Sequence, residues 1–188
     1  MRLTLMILFI FVIPAIALIA LPHSVFSQSM TDKNAPMDLT SPAFSQDGII
    51  ADQYTCKGQN ISPYLSWSGA PGGTKSFVLL VEDPDALKGT YTHWVAYNID
   101  PNKASLPVNL PKDSHLDGVM QGRNDSNKTG YTGPCPPKKS GAHRYYFKIF
   151  ALDRLLDLQP GASKTDVKNA MDSHILAEGS LMGHYEVK

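Results

Sequence analysis

Apolar positions recur along this chain in three patterns, and each predicts a different kind of element. The first is a run without charge from Leu3 to Leu21, preceded by Arg2 and followed by Pro22, Val25, Phe26 and Ser27. A basic start, an apolar stretch and small residues ahead of Gln28 mark residues 1–27 as an export signal, cleaved after Ser27. The alternative is an uncleaved membrane anchor over residues 3–21, because the run approaches the roughly 20 residues that span a bilayer, although Pro14 interrupts it. Between Gln28 and Thr40 no apolar period survives. That predicts a flexible tether over residues 28–40 and one domain over residues 41–188.

The second pattern is the short apolar run bounded by turn residues. Phe77-Val78-Leu79-Leu80-Val81 is continuous and of strand length, as expected of a central strand covered on both faces. Residues 91–99 read as another apolar strand, with His93 near its start. Residues 144–150 are rich in aromatic and β-branched side chains, which fit a pleated, buried strand. Side chains two apart share a face, so His143, Tyr145 and Phe147 point together. Shorter pieces predict β-structure over residues 41–54, split by the turn Gln46-Asp47-Gly48, and a short strand anchored by Ile61, Tyr64, Leu65 and Trp67.

The third pattern is helical. Ser163 and Asp166 make a capping box ahead of Val167, Ala170, Met171, His174 and Ile175, which recur at helical spacing. His174 then lies on the apolar face in a structural role. Gly179 and Gly183 punctuate the end of this segment and leave residues 184–187 as a last short strand.

What separates these elements is as informative as the elements themselves. Residues 100–142 are rich in Pro, Gly, Asn and Asp, and irregular stretches this long are usually functional. Their last part, from Gly130 to Gly141, is broken every few residues by Gly or Pro and reads as a shaped loop that delivers His143 and Tyr145 to one spot. A second unusual spot is Glu82-Asp83-Pro84-Asp85, three carboxylates at the end of a buried strand, where the fixed φ of Pro84 sets the directions of Asp83 and Asp85.

Composition narrows the function classes. The chain holds 17 Lys and Arg against 17 Asp and Glu. Removing residues 1–27, whose one charged side chain is Arg2, leaves 161 residues with 16 cations and 17 carboxylates. Such a balance gives no electrostatic reason to expect nucleic acid as a partner. Cys56 and Cys135 form an even pair outside the cytosol, the setting that favours a disulfide over two free thiols. GxSxG, HExxH, Walker, GxGxxG and CxxC motifs are absent, so no catalytic role and no cofactor are expected.

The remaining polar constellation is Asp83, Asp85, His93, His143 and Tyr145 with the Gly133 amide. Imidazoles, a phenol and backbone N–H groups are donors, and together they suit a phosphate-like or carboxylate anion. Asp83 is expected to accept from a histidine and favour its charged form, so that affinity rises as pH falls through the histidine range. The same atoms leave open a Zn²⁺ site with a free position or acid–base catalysis.

The segments GQNISPYLSW, LLVEDPDA, THWVAYNID, GYTGPCPP and GAHRYYFKIFALD, in that order, resemble the bacterial, Raf kinase inhibitor-like branch of the phosphatidylethanolamine-binding protein family. The resemblance runs from about Ser41 to Tyr185. It implies a mostly β fold, with a large central antiparallel sheet, a smaller second sheet and peripheral helices. It also implies a small anion pocket at Asp83, Asp85, His93, Gly133, Pro134, His143 and Tyr145, occupied by a phosphate-like anion or a phospholipid head group. The alternative is an interaction or inhibitor module whose pocket accepts an acidic or phosphorylated side chain of a protein partner. Set beside the mammalian relatives, the resemblance implies no C-terminal extension here, so their kinase inhibition is not expected to carry over. The run from Arg123 to Thr129 resembles an insertion at the rim of the pocket.

Overall fold

The apolar runs become the long strands of one sheet. The computed structural model describes residues 35–188; the expected signal over residues 1–27 and the tether as far as residue 34 lie outside them. In chain order the elements are β1 (Ala35–Pro36), β2 (Asp38–Thr40), β3 (Gly48–Ile49), β4 (Leu65–Ser68), β5 (Ser76–Asp83), β6 (Tyr91–Ile99), β7 (Ser105–Leu106), β8 (His115–Leu116), β9 (Val119–Gln121), β10 (His143–Leu152), α1 (Lys164–Met171) and β11 (Ile175–Tyr185). Short 3-10 turns cover Asp52–Tyr54 and Asp172–His174. The larger sheet runs β1-β11-β10-β5-β6-β9-β8, with β3 also on β11, and β2-β4-β7 make the smaller one. The long strands pair antiparallel, whereas β1 and β3 lie parallel to β11.

β5 shows why a continuous apolar run marks a central strand. Phe77, Leu79 and Val81 pack on one face with Trp67, Trp94, Phe147 and Ile149. Val78 and Leu80 pack on the other with Val95, Tyr97, Phe150 and the α1 residues Val167 and Met171. Alternation puts consecutive side chains on opposite faces, and both faces are covered. α1 starts at the expected capping box, where the Ser163 side chain accepts from the Asp166 amide. Lys168 of α1 and Lys148 of β10 both reach the buried Glu82 carboxylate, at 2.6 and 3.0 Å. Among the described residues no helix is long and apolar enough to cross a membrane.

Four expectations change. The tether does not extend to Thr40: β1 and β2 are strands, and Met37 and Leu39 are buried in the core. Residues 41–54 hold only the two-residue β3 and a 3-10 turn. His174 is not on the face of α1, which ends at Met171; it sits in the next turn with Nδ1 2.9 Å from Asp153 Oδ1. The chain after α1 is no short terminal strand but the eleven-residue β11, paired along its length with β10. Gly179 does not break it, because the neighbouring chain needs the space: a Cβ there would lie 2.3 Å from the Met37 carbonyl oxygen.

Candidate functional site

Antiparallel pairing of β10, β5 and β6 brings the start of β10, the end of β5 and the start of β6 to one end of the sheet. His143 and Tyr145, Asp83, and His93 therefore meet although up to 62 residues separate them in the chain. A local irregularity completes the set. Val81 pairs with Trp94 while Glu82 pairs with Thr92, which makes His93 the extra residue of a β-bulge. A bulge re-aims a side chain that strict alternation would send elsewhere. The β6 bulge places His93 on the same side as Trp94.

These residues border a cavity of about 660 Å³, lined by Asp83, His93, Gly133, His143 and Tyr145 together with Ala86, Leu87, Lys88, Tyr91, Asp125, Ser126, Thr132, Cys135, Pro136 and Pro137. Buried polar side chains, Asp83, His93 and His143, lie along its floor. Tyr145 is fully buried, and its hydroxyl lies beside the Asp83 carboxylate but makes no well-formed hydrogen bond among the described residues. Burial and the nearby Asp83 carboxylate push this phenol far above its ordinary range, so it keeps its proton. The His93 ring stands edge-on to Tyr145, with centroids 5.2 Å apart. Its Nδ1 lies 2.8 Å from the Thr132 carbonyl oxygen. Burial lowers the His93 pKa, against the opposing pull of the Thr132 and Gly133 backbone and of the Asp83 and Asp125 carboxylates.

The expected donors are not all free. His143 Nδ1 lies 2.8 Å from Asp83 Oδ2, and its Nε2 lies 3.1 Å from Ser140 Oγ. Asp83 thus holds a histidine as expected, namely His143, but that ring offers no unengaged nitrogen. The Gly133 amide donates to Asn60 Oδ1 at 2.7 Å and is likewise taken. Asp85 turns away from the cavity, its carboxylate accepting from the Arg144 amide, Nε and NH2 group at 2.9, 2.9 and 2.6 Å. Those contacts hold its carboxyl down at about 2. Pro134 is buried behind the wall, where its carbonyl accepts from the Cys56 amide.

Residues that carried no sequence signal hold the walls in place. Asn124, buried in the 123–129 run, accepts from the Ser126 and Lys128 amides and donates to Thr132 Oγ1. Asp125 and Ser126 of that run line the cavity, as expected of its place at the rim. Nothing in a Pro- and Gly-rich stretch distinguishes one buried Asn from its exposed neighbours. Cys56 and Cys135 are bonded, with Cα atoms 5.4 Å apart, and fasten the Gly133–Pro137 wall to the 52–60 loop. Among the described residues no three His, Cys, Asp or Glu side chains are placed to hold a metal ion.

The family model described as phosphatidylethanolamine-binding protein matches residues 40–186. The chain belongs to the phosphatidylethanolamine-binding protein family. Its match is compatible with the bacterial Raf kinase inhibitor-like branch. A UPF0098 protein of Methanothermobacter thermautotrophicus is 53% identical over 150 residues, which cover 79% of this chain and 98% of that one. A phosphatidylethanolamine-binding protein homologue from Chlamydia trachomatis has a crystal structure that superposes with a TM-score of 0.74 at 41% identity, covering 81% of this chain and 99% of the other. Escherichia coli YbcL, described as a member of the mammalian family, gives 0.76 at 33% identity over 82% and 100% of the two chains. The family fold is thus the binding-protein fold seen here: two sheets and, among the described residues, one α-helix.

Proposed function

We propose that the chain is an exported, non-catalytic binding protein whose cavity holds a small oxyanion, a phosphate-like group or the head group of a phospholipid. One observation carries this: a fully buried hydroxyl, Tyr145, has no hydrogen-bond partner among the described residues at the floor of a cavity. A buried donor left unmade costs roughly 1–3 kcal/mol, so such groups persist where a ligand uses them. The mouth supports the same reading. Lys88 lines it, Lys138 and Lys139 follow Pro137 directly, and all three are exposed and without a salt-bridge partner among the described residues. The lining also carries the carboxylates of Asp83 and Asp125, and these lysines offset that negative charge for an approaching anion.

The test is thermal unfolding with and without inorganic phosphate or phosphoethanolamine. A ligand at 100 times its dissociation constant adds about 2.7 kcal/mol to the stability of the native state. Wild type is expected to shift upward, and Tyr145→Phe to lose most of that shift. Absence of a shift in wild type rules the small-anion reading out. A protein partner presenting an acidic or phosphorylated side chain is the second reading, favoured by Leu87, 82% exposed beside the mouth. It predicts protection of the 100–142 surface from proteolysis by that partner, which millimolar phosphate leaves unprotected.

A further inference from the structure

Resting on the oxyanion reading, we propose that the cavity selects an oxyanion that brings its own proton, a protonated phosphate or phosphomonoester, and rejects a proton-free anion of the same shape such as sulfate. The polar atoms at the floor dictate this. A carbonyl oxygen can only accept, so the 2.8 Å contact to Thr132 places a hydrogen on His93 Nδ1. The other ring nitrogen, Nε2, has no hydrogen-bond partner among the described residues. Burial favours the neutral ring, which leaves Nε2 with a bare lone pair, an acceptor.

Asp83 adds acceptors to the same wall. Its Oδ1 accepts from the Asp85 amide at 2.8 Å and its Oδ2 faces His143 Nδ1 at 2.8 Å. One partner on each oxygen leaves further lone pairs on a carboxylate that borders the cavity. The matching donor is the Tyr145 hydroxyl. The floor therefore presents acceptors from His93 and Asp83 and one donor, the Tyr145 hydroxyl, which lies beside Asp83 without a well-directed bond to it and can rotate toward a ligand.

Sulfate and phosphate share size and tetrahedral shape, and Lys88 in the lining attracts both. They differ in hydrogen bonding. Phosphate near neutral pH keeps at least one P–OH, which donates to an acceptor of the wall while a P–O oxygen accepts from Tyr145. Sulfate has no proton and sets lone pairs against lone pairs in a poorly hydrated site. Sites built around a buried hydrogen-bonding group reject analogues that leave that group unpaired far more strongly than shape alone would. This also accounts for an aspartate beside an anion: the proton of the ligand lies between them.

The deciding experiment is calorimetric titration of the protein with inorganic phosphate and with sodium sulfate at pH 7 and matched ionic strength. Phosphate is expected to bind at least tenfold more tightly than sulfate. A second pair removes the difference in charge: at pH 5, methyl phosphate is a protonated monoanion and dimethyl phosphate a proton-free one, and the former is expected to bind at least tenfold more tightly. His93→Asn, which keeps a donor for Thr132 but lacks the Nε2 lone pair, is expected to narrow both ratios. Equal affinities within both pairs overturn the proposal while leaving oxyanion binding standing. Ratios unchanged in His93→Asn overturn the role of His93. No binding of any of the four anions overturns the oxyanion reading and this proposal together.

Discussion

Tyr145 sits where a phenylalanine would pack as well and cost less. Its hydroxyl is buried without a partner among the described residues, a penalty of roughly 1–3 kcal/mol. Tyr145→Phe should therefore raise the stability of the ligand-free protein by about 1 kcal/mol in urea unfolding, even as it removes the phosphate response. His93 makes the complementary prediction for pH. Burial lowers its pKa below the ordinary 6.5, so between the folded and unfolded values the unfolded chain binds more protons. Its contribution is thus fully present above about pH 6.5 and lost as pH falls through that window. Unfolding free energies at pH 7.5, 6.5 and 5.5 should fall in that order, with a smaller drop in His93→Asn. The residue types at Asp83, His93, His143 and Tyr145 were legible in the sequence as one polar set. The engagement of each nitrogen and oxygen was not, because Asn60 meets Gly133 and Arg144 meets Asp85 across segments far apart in the chain, and the local Ser140 contact to His143 depends on how the loop folds back.

Strands and loops were legible wherever a single periodicity governed them. The runs over residues 77–81, 91–99 and 144–150 each became the predicted strand, and the capping box at Ser163 started the predicted helix, which ends at Met171 before His174 and Ile175. β11 was not, since Gly179 reads as a breaker until the Met37 carbonyl appears against it. The bulge at His93 was invisible for a related reason: it is a mismatch between two strands and belongs to neither alone. Gly133 shows how tightly the loop is held, because a Cβ there would stand 2.2 Å from the Tyr54 carbonyl oxygen. Gly133→Ala should push the Pro134–Pro137 wall outward, destabilise the protein by about 1–3 kcal/mol and weaken anion binding. Urea unfolding and phosphate titration of that variant check both effects.

Across the molecule, one covalent cross-link and one apolar run carry the largest-scale predictions. The Cys56–Cys135 bond spans 79 positions, and cross-linking a loop of that length limits the unfolded ensemble by about 4–5 kcal/mol on chain-entropy grounds. Cys56→Ser with Cys135→Ser is expected to shift the urea midpoint down by a matching amount with an altered m-value, since the unfolded chain becomes more open. The apolar run over residues 3–21 predicts that protein recovered from cells begins at Gln28, which amino-terminal sequencing or intact mass checks; a full-length, membrane-associated product supports the anchor instead.

Periodicity, turn residues and the five ordered motifs are properties of short stretches, and local sterics suffice to determine them. That is why the mostly β fold, the helix that starts at Ser163 and the family were readable before any coordinates, whereas the several peripheral helices implied by the resemblance reduce to one α-helix among the described residues. Hydrogen-bond partnership between distant segments is not local. It follows from β10 lying between β5 and β11 and from the bulge in β6, which set His143 against Asp83 and turn His93 toward Tyr145. Chain order carries the chemistry of the site, and packing of the sheet decides which of those groups still has a free donor or lone pair to offer.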